Sequence, residues 1–126
     1  MSNAYIAGAG NTAFGRLADR GPIDLMAEAA GRGLADAGMQ RAEIDGVLCG
    51  YATTLPHLML ATLFCERFAL TPSYAHSIQL GGATGGAAAA FISTAPDSWM
   101  RSWATPFTYP PSIFGMKKIS QPGRTA

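Results

Sequence analysis

Residues 81 to 86, Gly-Gly-Ala-Thr-Gly-Gly, form a run of small residues between an apolar segment and an alanine-rich one. Between a strand and a helix, such a run turns backbone N–H groups and the positive end of a helix dipole toward whatever lies above it, which is where a nucleophile or oxyanion site would be built. No Lys follows the glycines at the Walker spacing, so a triphosphate-binding loop is excluded on residue type. The plain alternative is that these residues only let the helix pack closely on its neighbours. Gly8-Ala-Gly10-Asn-Thr-Ala13 matches the loose dinucleotide fingerprint GxGxxA, yet the helix that should start at that turn waits until Pro22, so a strand-ending turn is the better reading. Side chains for nucleophilic or acid–base work are few. Cys49 lies in an apolar run and Cys65 between Phe64 and Glu66 on a helical pattern, where a buried structural thiol is the usual outcome. His57 falls in the loop and helix start after Tyr51, and His76 on one face of a strand. The absence of CxxC and HxxxH spacings leaves no metal site expected.

The elements that must position these residues alternate. Residues 4 to 9 are a short apolar run closed by glycine, suited to a buried strand. Gly21-Pro22 opens a helix with Pro22 at its first position and Asp24 in its first turn; Ile23, Met26, Ala27, Ala30, Leu34 and Ala37 recur at spacings of three and four, and Gly38 is placed to cap it. Residues 44 to 49 read as a second strand, 55 to 70 as a second helix stopped by Thr71-Pro72, 74 to 80 as a third strand, and 87 to 91 as the opening of a third helix. The order βαβαβα predicts an α/β fold with a mostly parallel sheet and right-handed crossovers, whose function gathers at the C-terminal strand ends.

With 126 residues the chain has room for one domain, and 48% hydrophobic against 13% charged residues is too apolar for a disordered chain. A formal net charge of +1 without a basic patch argues against nucleic acid. The N-terminus lacks the basic and apolar regions of a signal peptide, and no run approaches a membrane span, so a reducing, cytoplasmic setting is expected.

The pattern changes near residue 92. Residues 1 to 91 carry arginine but no lysine and are acidic in balance, whereas residues 92 to 126 hold Arg101, Lys117, Lys118 and Arg124 against Asp97 alone, both tryptophans (Trp99 and Trp103) and five of the eight prolines. Residues 92 to 126 thus read as an atypical, poorly ordered tail. It is either a Pro-rich surface arm or sequence translated in another frame or joined from elsewhere, and the simultaneous shift in charge, composition and period favours the second.

Tyr5-Ile-Ala-Gly-Ala-Gly10-Asn-Thr-Ala-Phe-Gly15, the helix end Gly33-Leu-Ala-Asp-Ala-Gly38, Ile44-Asp-Gly-Val47 with Gly50-Tyr51, and Gly81-Gly-Ala-Thr-Gly85, in this order, resemble the amino-terminal part of the thiolase superfamily. The nearest branch holds sterol-carrier and lipid-transfer thiolases and acetyl-CoA acetyltransferase-like proteins. The resemblance spans about residues 4 to 91 and implies the first half of a layered thiolase-like fold, truncated before its later strands. It also implies an acyltransferase or lipid-transfer homologue that takes acyl-CoA or sterol-CoA as substrate or ligand, without a further cofactor, usually as a dimer and in some members with a small OB-fold, zinc-ribbon partner. In that family a Cys-Ala-Ser/Thr-Gly motif carries the acyl-accepting cysteine. Here the motif reads Gly82-Ala83-Thr84-Gly85, so the resemblance gives Gly82 the nucleophile's place and leaves the chain with no catalytic residue there. Gly81, Gly82, Ala83, Thr84 and Gly85 remain candidates for acyl-CoA binding or an oxyanion region. The family's catalytic histidine and second cysteine come from a C-terminal half not found in this sequence. The competing expectation is a non-catalytic remnant or interaction module.

Overall fold

The structure is a computed structural model describing residues 3–50, 55–94, 102–106 and 112–119. Its elements are β1 (Asn3–Asn11), α1 (Pro22–Ala37), β2 (Gly46–Gly50), α2 (Leu60–Phe68), β3 (Tyr74–Ile78), α3 (Thr84–Thr94), β4 (Ser102–Pro106) and β5 (Ser112–Ile119). Short 3-10 turns at Arg41–Glu43 and Gly81–Ala83 lead into β2 and α3. The alternating βαβαβα order expected from the sequence is present, and two strands follow it.

One five-stranded sheet has the order β1-β5-β4-β2-β3. β1 and β4 each pair antiparallel with β5, while β2 pairs parallel with both β3 and β4. Four strands therefore share one direction and β5 alone runs against them. Side-chain alternation along β2 assigns the two faces. Val47 and Cys49 pack with Met26, Ala30, Phe64 and Phe68 of α1 and α2, whereas Leu48 points the other way into a cluster with Ala88 and Ile92 of α3. The result is three layers, with α1 and α2 on one face and α3 on the other. β2 is buried on both faces, as a central parallel strand should be.

α1 begins and ends as its sequence directs. Pro22 is its first residue, Gly21 N donates to Asp24 Oδ2 at 3.3 Å, and Gly38 closes it in the left-handed region at φ 65° while Met39 N donates back to Leu34 O. The helix also covers the outer strand β1: Ala9 N donates to Asp36 Oδ2 at 3.0 Å and Arg32 Nη1 to the Asn11 carbonyl at 2.6 Å. Side chains thus occupy two backbone groups of an edge strand that a foreign strand would otherwise pair with.

Several element boundaries differ from the sequence reading. α2 starts at Leu60, not residue 55, because Pro56 disfavours helical backbone at Leu55 and His57 Nδ1 accepts the Met59 N–H at 3.0 Å, making a local turn before the helix. β2 is confined to Gly46–Gly50, β3 stops at Ile78, and α3 starts at Thr84 and continues to Thr94, past the expected change of pattern at residue 91. Within residues 92 to 126, set apart above as a poorly ordered tail, Ser102–Pro106 is a strand paired with β2 and Ser112–Ile119 a strand paired with β1, the latter ladder shifting register between Ile6 and Gly8. The prolines are compatible with these strands by position: Pro106 is the last residue of β4, where a missing N–H costs least, and Pro110 and Pro111 fall in the sequence between the two strands. Trp99, Lys117 as a surface charge, and the order of residues 95–101, 107–111 and 120–126 lie outside what is described.

Candidate functional site

β3 ends at Ile78, and two residues later the chain turns through Gly81–Ala83 into α3. Gly81 takes φ 57°, a conformation for which glycine carries no Cβ penalty. The turn is pinned by Thr84, which is 5% exposed: its Oγ1 donates to the Gly81 carbonyl at 2.8 Å and accepts the Leu80 N–H at 3.1 Å. One buried hydroxyl thus satisfies a donor and an acceptor of the strand-to-helix turn. Sequence reading treated Thr84 as one of five binding candidates and missed this fixing role, although a Thr three residues after a turn glycine is the recognisable signal.

Gly81, Gly82 and Ala83 are exposed, Thr84 is buried and Gly85 half-buried. A Cβ added at Gly82, Gly85 or Gly86 would meet nothing within 4 Å, and Gly82 lies outside the left-handed region. Close helix packing therefore does not demand glycine at 82, 85 or 86. Position 82 is an open, accessible place at the mouth of a helix N-terminus, the local geometry in which a nucleophile gains thiolate or oxyanion stabilisation. The residue there has no side chain to supply it.

Neither native thiol reaches this turn. Cys49 and Cys65 both belong to the core between the sheet and α1 and α2, on the face opposite α3. Burial pushes the Cys49 thiol well up and the Cys65 thiol up to about 11, so both are protonated at neutral pH. They are free, buried and structural. His76 shares the α3 face with Tyr74 and Ile78 by alternation and is exposed, its ring 6.2 Å from that of Tyr74. His57 is exposed in the turn before α2 and spends Nδ1 on Met59. Among the described residues no group of His, Cys, Asp and Glu is arranged to hold a metal ion.

The Gly8-Ala-Gly10 motif has a packing cause. Both glycines lie within β1, not in a turn after it, and a Cβ at Gly8 would stand 2.6 Å from the Gly33 carbonyl while one at Gly10 would stand 2.5 Å from the Ala29 carbonyl. α1 rests directly on the β1 backbone, which corrects the reading of a strand-ending turn and leaves no cradle for a pyrophosphate.

A layered α/β/α sheet with one reversed strand and a glycine-rich turn into the helix of one face is a thiolase-like fold, here its N-terminal part. Solved structures bear this out. The chain is similar to the priming β-ketosynthase of the R1128 polyketide pathway, with TM-score 0.75 and 13% identity over 96% of this chain and 52% of that one. It is also similar to the Ltp2-ChsH2(DUF35) aldolase, at TM-score 0.62 and 24% identity over 82% and 26%. A third match is OleA of Xanthomonas campestris, solved as a cysteine-to-serine variant with bound lauric acid and lauroyl-CoA, at TM-score 0.60 and 12% identity over 83% and 43%. The chain spans about half or less of each. No family model and no curated protein matches it. Among the described residues no helix is long and apolar enough to cross a membrane.

Proposed function

We propose that this chain is part of an acyl-CoA-handling protein of the thiolase superfamily, an acyltransferase or lipid-transfer homologue that binds acyl-CoA or sterol-CoA near Gly81, Gly82, Ala83, Thr84 and Gly85 and forms no acyl-enzyme at position 82. The observation carrying the reading is the exposed turn before α3, fixed by Thr84 and open above Gly82. Backbone N–H groups and the helix dipole there suit a thioester carbonyl oxygen, while glycine removes covalent transfer and leaves binding. OleA was solved with lauroyl-CoA, which supports an acyl-CoA ligand, and the Ltp2-ChsH2(DUF35) aldolase supports a partner protein, for which a small OB-fold, zinc-ribbon protein is our candidate. A cytoplasmic homo-oligomer belongs to the same reading.

Exposed apolar residues favour a second reading, a non-catalytic interaction module. Leu58 is 98% exposed, Met59 60% and Leu80 58%, at the start of α2 and the end of the β3 segment. Titration of the full chain with acetoacetyl-CoA, combined with a thiolysis assay and sedimentation analysis, separates the two. Saturable binding without thiolysis is expected. Measurable thiolysis overturns the missing-nucleophile argument, and no CoA binding with self-association favours the module.

A further inference from the structure

A groove of about 590 Å³ lies between α1, α2 and the 3-10 turn before β2, and none of residues 81 to 85 lines it. Its walls are strongly charged. Asp24 is held by Arg67 at 2.9 Å, and Glu28 sits between Arg20 and Arg32, the latter at 2.6 Å. Hydrogen bonding from Arg67, then from the Gly21 N–H, keeps the Asp24 carboxyl below its ordinary range, and both carboxylates are already committed to arginine partners. Three guanidinium groups, of Arg20, Arg41 and Arg67, therefore line the groove with two carboxylates, and Glu28 is also paired with Arg32 outside it, so positive charge is in excess.

Arg41 is the uncompensated one. Among the described residues it has no carboxylate partner, and Glu43, the nearest acid in sequence, accepts the Gln40 N–H at 2.7 Å. Its guanidinium lies 4.1 Å above the ring of Phe68, which is itself buried and stacked on Phe64. This cation–π contact holds the guanidinium in place and leaves N–H donors for an acceptor, a preorganisation that recognition of phosphate uses. The groove's volume is that of a small-molecule site, and its charged walls select a polar anion over an acyl chain.

We propose that this groove binds a phosphate-bearing molecule, with Arg41 as the primary contact and Arg20 and Arg67 flanking it. The site stands apart from the turn at Gly82, so its fate is independent of the acyl-CoA reading.

The probe is inorganic pyrophosphate, titrated calorimetrically into the full chain at low ionic strength. Saturable binding is expected, weakened about tenfold or more by Arg41→Gln, as loss of a charge-assisted contact implies, less by Arg41→Lys, and unchanged by Arg16→Gln, an exposed arginine outside the groove. Far-UV circular dichroism of each variant confirms that the comparison is between folded proteins, and Arg41→Lys keeps the test alive should Arg41→Gln unfold. Co-sedimentation with phosphatidylcholine vesicles containing phosphatidic acid distinguishes the source of the phosphate. Sedimentation lost in Arg41→Gln assigns a lipid headgroup, and pyrophosphate binding without sedimentation assigns a soluble ligand. Binding in neither arm, or equal weakening by Arg16→Gln and Arg41→Gln, overturns the proposal.

Discussion

Gly10→Ala tests the packing of α1 on β1 most directly. An alanine Cβ at this position stands 2.5 Å from the Ala29 carbonyl oxygen and 2.8 Å from the Arg32 Cβ, against ordinary contact beginning at 3.4 Å. The obstructing atoms are backbone or backbone-proximal, so no rotamer change relieves them, and α1 must retreat by roughly 1 Å, a gap that forfeits a quarter to a half of each contact's attraction. The helix buries Met26, Ala29, Ala30, Gly33 and Leu34, and a retreat loosens their packing. A cost of about 3 kcal/mol follows, at the upper end of overpacking penalties because both surfaces are rigid; for a chain of this size that is a fall in Tm of roughly 10 °C. Urea unfolding followed by circular dichroism measures it, with Gly31→Ala as the companion. A Cβ at Gly31, on the same helix, meets nothing within 4 Å, so helix propensity alone should stabilise that variant by up to about 1 kcal/mol. If Gly10→Ala lies within about 0.5 kcal/mol of the parent, the ordinary range for harmless surface changes, or is no worse than Gly31→Ala, the packing account is wrong.

Thr84→Val should cost about 1–2 kcal/mol, because it strands the Leu80 N–H and leaves the Gly81 carbonyl only the backbone N–H of residue 84, while Thr84→Ser should recover most of that; thermal unfolding of the pair decides it. Gly82→Cys should fold with parent stability and label rapidly with iodoacetamide at neutral pH, whereas Cys49 and Cys65 stay unlabelled until unfolding; yet incubation with acetyl-CoA should yield no turnover, since the base and second oxyanion donor are missing, and mass spectrometry would expose a transient acetyl adduct if they are not. Because burial raises the folded pKa of Cys65 to about 11 from an ordinary 9.0, its contribution to stability should be whole below pH 9 and decline as pH rises toward 11; a urea midpoint constant across that window would contradict the burial. Nuclear magnetic resonance titration of Asp24 should show it ionised to lower pH than a free aspartate, with Arg67→Gln returning it toward the ordinary value.

The chain's own residue order determined the alternating elements, the start of α1 at Pro22, its cap at Gly38 and the glycine at position 82, because these follow from local backbone chemistry and short-range periodicity. α1 keeps its predicted bounds for that reason: proline, first-turn acid, spaced apolar residues and glycine all act within one helix. What tertiary structure decided depended on partners distant in sequence. Gly8 and Gly10 read as a strand-ending turn, but they lie within β1 with α1 resting on them, and no local signal separates a glycine that makes a turn from one that yields to a helix. Cys49 and Cys65 were judged inert from apolar neighbours, but only the layering sends them to the face opposite α3. β4 and β5 escaped notice because a five-residue strand and a lysine-bearing one show little periodicity of their own; they are strands because β2 and β1 offer them ladders, and hydrogen bonds between distant segments leave no trace in the order of residues.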